Sequence, residues 1–183
     1  KSVTIPNSVT TICNAAFYNC SSLESMVIGS GVTTIGDGII YYYSPFTTVY
    51  YCGMADDWNK IAIGNYNSKL TDATRYYYSE SAPTEDGSFW HYYEGVPTVW
   101  TYTTVTFDLN AEEGSDTLES TKYYYGITCT LPTLQRPGYI FKGWTLDNSV
   151  ETPVIFTDAV WQITEDTVAF TAVWEVDLQM SVF

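Results

Sequence analysis

Two stretches of the chain, VTIPNSVTTICNAAFYNCSSLES (3–25) and MVIGSGVTTIGDGIIYYYSPFTT (26–48), lie over one another without a gap, giving a period of 23 residues. The overlay sets Ile5 on Ile28, Val9-Thr10-Thr11-Ile12 on Val32-Thr33-Thr34-Ile35, Tyr18 on Tyr41 and Leu23 on Phe46. No other feature constrains the fold as strongly, because a unit this short cannot bury its apolar side alone and must lean on a neighbouring unit of the same shape. Alternation puts Leu23, Met26 and Ile28, then Phe46, Val49 and Tyr51, on one side of a short strand. Val9 with Ile12, and Val32 with Ile35, supply a second short apolar edge, and AAFYNC or GIIYYY closes each coil as a tight helical or 3₁₀ turn.

Two coils leave an exposed end, which invites edge pairing unless it is covered. After Tyr51 the repeat lapses into ADDWNKIAIG, RYYYSE and SFWHYY-EG-VPTVW, where Glu94-Gly95 between alternating apolar residues predicts a hairpin. This aromatic segment is the expected cover. In Tyr76-Tyr77-Tyr78 the outer two rings and the middle one must face opposite ways on a strand, so some of them belong to the core. Large side chains suit a thin cap and a small β module, and Trp58, Trp90, Trp144 and Trp174 are read as packing residues.

A new pattern begins near Trp100 to Thr103 with TVTFDLN and ends on VAFTAVWE. Within it, RPGYIFKGW (136–144) places a Pro137-Gly138 turn before a strand that delivers Tyr139, Phe141 and Gly143-Trp144 to one face. Polarity in the chain is carried by Thr, Ser, Asn and Tyr more than by charge, which favours strands and turns over long helices. The expected class is therefore mainly β, in two units of 1–101 and 102–176 with a tail of 177–183. The sequence opens directly into a patterned strand at Lys1, which reads as a piece of a longer protein.

Charge narrows the partners. The chain carries 21 Asp and Glu against 7 Lys and Arg, a formal charge of −14, so nucleic acid and anionic lipid are repelled rather than attracted. No apolar run approaches the roughly 20 residues that cross a bilayer, so membrane insertion is not expected. Cys13, Cys20, Cys52 and Cys129 form no CxxC pair and read as free thiols acting as small buried hydrophobes, with a Cys13–Cys20 disulfide as the alternative.

The titratable inventory is thin for catalysis. His91 is the sole histidine, it lies between Trp90 and Tyr92 in an expected strand, and no HxxxH or HExxH partner accompanies it. A thiol nucleophile would have to pair it with Cys52 or Cys129, and nothing supplies a recognisable oxyanion loop. Asp56-Asp57, Glu85-Asp86 and Glu112-Glu113 are adjacent carboxylates, which rarely face each other across a sugar and read as solvated loops, with Asp56-Asp57 starting a short helix before Trp58. Glu112, Glu113 and Asp116 share one loop but lack the alternating oxygen ligands of a calcium-binding loop. Catalytic residues, a metal and a cofactor are all expected to be absent.

The units IPNSVTTICNAAFYNCSSL and VIGSGVTTIGDG resemble BspA-type leucine-rich repeats, in which IPxSVTxIGxxAFxxCxxL recurs, and VYYCGMADDWNKI to GVPTVW looks like the terminal cap found in some of them. Cys13 stands where that pattern has glycine, and GIIYYY stands where it has AFxxC. From VTFDLN through the Tyr125-Gly126 turn and RPGYIFKGW to the closing AVW, the second half resembles the internalin-type B-repeat, or Listeria–Bacteroides repeat, with AEEG in place of the usual glycine pair. The resemblance implies a short leucine-rich-repeat solenoid with a C-terminal cap, then a small β-grasp-like module. It also implies a non-catalytic bacterial protein, at the cell surface or secreted, whose repeat surface adheres to a host or bacterial surface protein or glycan. A passive stalk is the alternative, and a glycan-active enzyme fragment a further one. The surface expected to make contact is the outward ladder of the stacked strands: Thr4, then Ser25 and Val27, then Thr48 and Tyr50.

Overall fold

The structure, a computed structural model, describes residues 1–110, 118–146, 159–160, 162–163 and 165–178. It is mainly β and divides into two compact units, Lys1–Trp100 and Thr101–Phe183.

In the first unit the repeat is written directly into strand pairing. Strands β1 (Ser2–Ile5), β3 (Ser25–Ile28) and β5 (Thr48–Tyr51) are parallel and in register, Thr4 on Val27 on Tyr50 and Ile5 on Ile28 on Tyr51. Short strands β2 (Thr11–Ile12) and β4 (Thr34–Ile35) pair in the same way on a second parallel sheet. Each residue thus sits over its counterpart one coil earlier. Met26, Ile28, Val49 and Tyr51 from the first sheet and Ile12, Val32 and Ile35 from the second line a common core with Leu23, Ile39 and Phe46. Burial of each such side chain contributes about 1.5–3 kcal/mol, which the isolated coil could not collect. The closing segment after β2 is a run of tight turns with an isolated parallel bridge from Phe17 to Ile40 rather than a helix.

The stack has one more turn than the period suggests. Strand β6 (Ala62–Ile63) pairs with β4, and β7 (Thr74–Tyr78) pairs with β5, so ADDWNKIAIG is a third coil and not a lapse. A side-chain ladder marks it: Asn14 Oδ1 accepts from the Asp37 amide at 2.9 Å, and Asp37 Oδ1 accepts from the Asn65 amide at 2.7 Å. The separations are 23 and 28 residues, the longer coil accommodating helix α1 (Ala55–Trp58). Helix α2 (Ser68–Thr71) follows, and the Asn67 side chain at its start satisfies three backbone groups, accepting from the Ile39 amide and donating to the carbonyls of Gly36 and Gly64.

The end of the stack is closed by rings, as the aromatic segment suggests. Tyr77 packs on the core, while Trp58 is buried under the Arg75 guanidinium at 4.0 Å. Strands β8 (Phe89–Tyr93) and β9 (Val96–Val99) extend the first sheet, joined by a turn with Glu94 at φ 49° and Gly95 at φ 79°, the hairpin expected there. Cys13 and Cys20 are exposed and all four cysteines are free, which corrects the expectation of buried thiols for those two. The position of Cys13 in the later coils is taken by Gly36 and Gly64, where an added Cβ would lie 2.5–2.9 Å from backbone of the coil before. Cys13 itself is exposed.

The second unit is a four-stranded sheet in the order β11 (Thr121–Tyr124), β10 (Tyr102–Asp108), β15 (Thr167–Val176), β13 (Tyr139–Thr145), with β10 and β15 parallel and the other pairs antiparallel. A minor pair, β12 (Thr128–Cys129) and β14 (Ala159–Val160), completes it. Gly138 takes φ 78° in the Pro137-Gly138 turn, and the Arg136 carbonyl accepts from the Tyr139 amide across it. In β13 the register shifts between Phe141 and Gly143. This bulge brings Phe141 and Trp144, which strict alternation would send to opposite faces, to ring contact at 5.5 Å. Trp144 is buried among Val105, Leu131, Val168, Phe170 and Ala172, and its Nε1 donates to the Pro132 carbonyl at 2.8 Å.

Candidate functional site

The outward face of the first sheet carries the expected ladder in rows. One row runs Ser2, Ser25, Thr48, Thr74, and the next Thr4, Val27, Tyr50, Tyr76. Thr4 is exposed, and Ser25, Thr48 and Tyr50 are half-buried. Val27 departs from expectation: it is 1% exposed. A short branched side chain between Thr4 and Tyr50 lies below the level of the tyrosine ring, so Val27 belongs to the floor of this face and not to its contact surface.

Rings that sequence reasoning left off the ladder extend it. Tyr76 stacks on Tyr50 at 5.7 Å, and Tyr78 and Tyr92 flank Trp90 at 5.2 and 4.9 Å. Trp90 is fully buried, its Nε1 donating to the Tyr51 carbonyl, so it anchors the patch while Tyr92 stays exposed. The signal lay in the register: β7 is parallel to β5, so Tyr76 must share the face of Tyr50. Burial raises the Tyr50 phenol above its ordinary range, with the neighbouring Tyr76 adding to it, and burial raises Tyr92 likewise. These rings are neutral over the physiological range and offer hydroxyl tips and apolar edges, not charge.

The titratable groups do not converge. His91 stacks on Trp100 at 3.9 Å, and burial lowers its pKa, against a weaker backbone hydrogen bond at Tyr92. Burial raises the Cys52 and Cys129 thiols, the opposite of what a nucleophilic thiolate needs. Asp56 and Asp57 lie in the first turn of α1, and the hydrogen bond and charge of Lys60, at 2.9 Å, hold Asp57 below the ordinary carboxylate range. Glu85 and Asp86 are exposed. Glu112, Glu113 and Asp116 lie outside the described residues, and among those described no group of three or more His, Cys, Asp or Glu could hold a metal ion.

Two parallel sheets whose first coils repeat at 23 residues and whose third is longer, followed by an unrelated mixed sheet, are the setting for the family matches. Residues 1–74 match the family described as BspA type Leucine rich repeat region (6 copies), and residues 103–170 match the Listeria-Bacteroides repeat domain. A segment similar to BspA-type leucine-rich repeats is thus followed by one similar to a Listeria-Bacteroides repeat. No curated protein and no solved structure matches the chain at a significant level. The leucine-rich repeats end, by this match, at the first residue of β7, so Tyr76, Tyr78, Trp90 and Tyr92 lie beyond both matched segments. Both are non-enzymatic repeat families typical of bacterial surface proteins, and BspA-type repeats typically occur in surface or secreted proteins. Among the described residues no helix is long and apolar enough to cross a membrane.

Proposed function

We propose that this chain is a non-catalytic part of a bacterial surface or secreted protein, in which the first unit is a short leucine-rich-repeat solenoid that adheres to a protein partner through its outward sheet face. The second unit, read as a β-grasp-like B-repeat, serves as spacer or accessory contact. One observation carries the reading: the rows Ser2–Ser25–Thr48–Thr74 and Thr4–Val27–Tyr50–Tyr76 run uncharged across four parallel strands of a chain whose formal charge is −14. Charge is kept off this face, hydroxyls can hydrogen-bond, and tyrosines are favoured anchors in protein interfaces.

The test is a binding screen of the 183-residue chain against host extracellular proteins by biolayer interferometry. At least one partner is expected to bind at a Kd of about 10 µM or tighter, and Tyr50→Ser with Tyr76→Ser to weaken it about tenfold or more. Equal binding by the double variant would remove the sheet face from the account, and an inert native chain would favour the passive stalk.

A further inference from the structure

The flank of the coils, away from both parallel sheets, carries a second concentration of tyrosine that the sheet-face reading does not use. A hollow of about 270 Å³ is lined there by Tyr18, Tyr41, Tyr42, Tyr66, Ser68 and Lys69 among others, and none of its lining residues belongs to a strand of either sheet. Tyr18 and Tyr41, one period apart, meet edge-on at 5.1 Å, and Tyr43 abuts Tyr41 and Tyr42 at 5.5 and 5.3 Å. These are not core rings: Tyr18, Tyr42 and Tyr43 are all exposed.

Tyr66 is the most informative of them. It is 88% exposed and held at φ 61°, in the left-handed region that a bulky residue rarely adopts. The repeat imposes this conformation, since the residue after each rung of the Asn14–Asp37–Asn65 ladder takes it: Ala15 at φ 54° and Gly38 at φ 54° precede Tyr66. The earlier coils place a small residue there, as the backbone favours. A tyrosine at this position strains the chain and packs on little, so its ring serves something outside the fold. Its backbone is fixed on both sides, by the Asn65 amide on Asp37 and by the three hydrogen bonds of Asn67. Lys69 is the sole charged residue lining the hollow, 6.0 Å from the Tyr42 ring centroid, with no carboxylate within ion-pair distance among the described residues.

We propose that this tyrosine-lined hollow binds a single sugar residue bearing a carboxylate, such as a uronic or sialic acid at a glycan terminus. The apolar face of the sugar ring lies on Tyr66, its hydroxyls meet phenol groups and Ser68, and its carboxylate meets Lys69. The volume suits one pyranose rather than a drug-sized ligand, and one isolated cation in an acidic chain selects a single carboxylate over a polyanion. The hollow shares no residue with the outward sheet rows, so this site and adhesion by that face stand or fall separately.

Saturation-transfer NMR of the full chain with glucuronic acid and N-acetylneuraminic acid, against glucose and galactose, tests it. The acidic sugars are expected to bind with Kd of about 1–10 mM and the neutral ones about tenfold more weakly. Tyr66→Gly relieves the backbone, so its thermal midpoint is expected to equal or exceed that of the native chain while affinity for the acidic sugars falls about tenfold. Lys69→Met is expected to reduce the acidic sugars to the level of the neutral ones. Absence of saturation transfer from either acid at about 50 mM, unchanged binding by Tyr66→Gly, or an acid preference that survives Lys69→Met would each overturn the site.

Discussion

The two units solve the same problem, covering a small β core, by opposite means. In the first, like pairs with like: Thr11 on Thr34, Ile12 on Ile35, Ile5 on Ile28, each one period from its partner. In the second, no pair is set by a repeat: Phe141 lies on Trp174 and Trp144 on Ala172 with a bulge correcting the register between them, and where like does meet like, as Val105 on Val168 and Phe107 on Phe170, the partners are not copies one period apart. Translation makes every side chain answer to its own copy in the next coil, so what matters there is clearance between coils. A one-off sheet has no copies, and what matters is the fit of a few large side chains and the turns that bring them together.

The sharpest way to break that contrast is to remove a large side chain from the one-off core. Trp144 is 2% exposed, touches Phe107 and Phe141 by its ring, and satisfies the Pro132 carbonyl. Trp144→Ala is expected to destabilise the second unit by about 3–5 kcal/mol. Amide hydrogen exchange checks it: the amides of Val105, Phe170 and Ala172 should exchange faster by a factor matching that loss, and unchanged protection there would mean that the core does not depend on the ring.

Glycines separate the two designs at smaller cost. At Gly36 the backbone φ is unremarkable, but a Cβ would lie 2.5 Å from the Asn14 nitrogen and 2.9 Å from the Cys13 carbonyl carbon, in the coil before. At Gly138 nothing lies within 4 Å of such a Cβ, and the obstacle is φ 78° alone. Gly36→Ala is therefore expected to cost about 2–3 kcal/mol by forcing two coils apart, and Gly138→Ala about 1 kcal/mol by strain. Chemical denaturation of each variant measures both. The reverse order would show that coil spacing costs the first unit less than turn strain costs the second.

The translation was legible because it is a pattern of identities: Val9-Thr10-Thr11-Ile12 repeated at Val32-Thr33-Thr34-Ile35 dictates the strands, the core face and most of the outward ladder. The third coil was hidden because α1 lengthens it and its counterpart residues changed, Thr34-Ile35-Gly36-Asp37 becoming Ala62-Ile63-Gly64-Asn65. Of the matching identities only one is hydrophobic, Ile63 on Ile35; the Asn14, Asp37, Asn65 rung and the glycine before it at 36 and 64 are backbone requirements. Asn67 was illegible for the same reason, since its three partners are main-chain groups from other segments. Thr4, Ser25, Val27, Thr48 and Tyr50 share one face, but alternation does not show that Val27 is buried, because which residues of a face reach solvent depends on the height of their neighbours. Placing both Phe141 and Trp144 of RPGYIFKGW on one face is incompatible with strict alternation, and the bulge in β13, marked by Gly143 at φ 126°, is what reconciles the two.

The smallest expected effect concerns pH, and it too divides the units, because the sole histidine of the chain lies in the first. His91 stacks on Trp100, and burial lowers its pKa below the ordinary value of 6.5. Above that value the ring is neutral in both folded and unfolded chains, and stability owes nothing to its titration. Below it the unfolded chain takes up a proton that the folded one resists, so stability falls with pH until the folded ring is protonated as well, and then levels. His91→Phe keeps an aromatic ring against Trp100 and removes the titration. Between about pH 7.5 and pH 5 the thermal midpoint of the native chain should fall further than that of the variant. Parallel curves would mean that His91 meets the same surroundings folded and unfolded, and that its stack on Trp100 excludes too little water to matter.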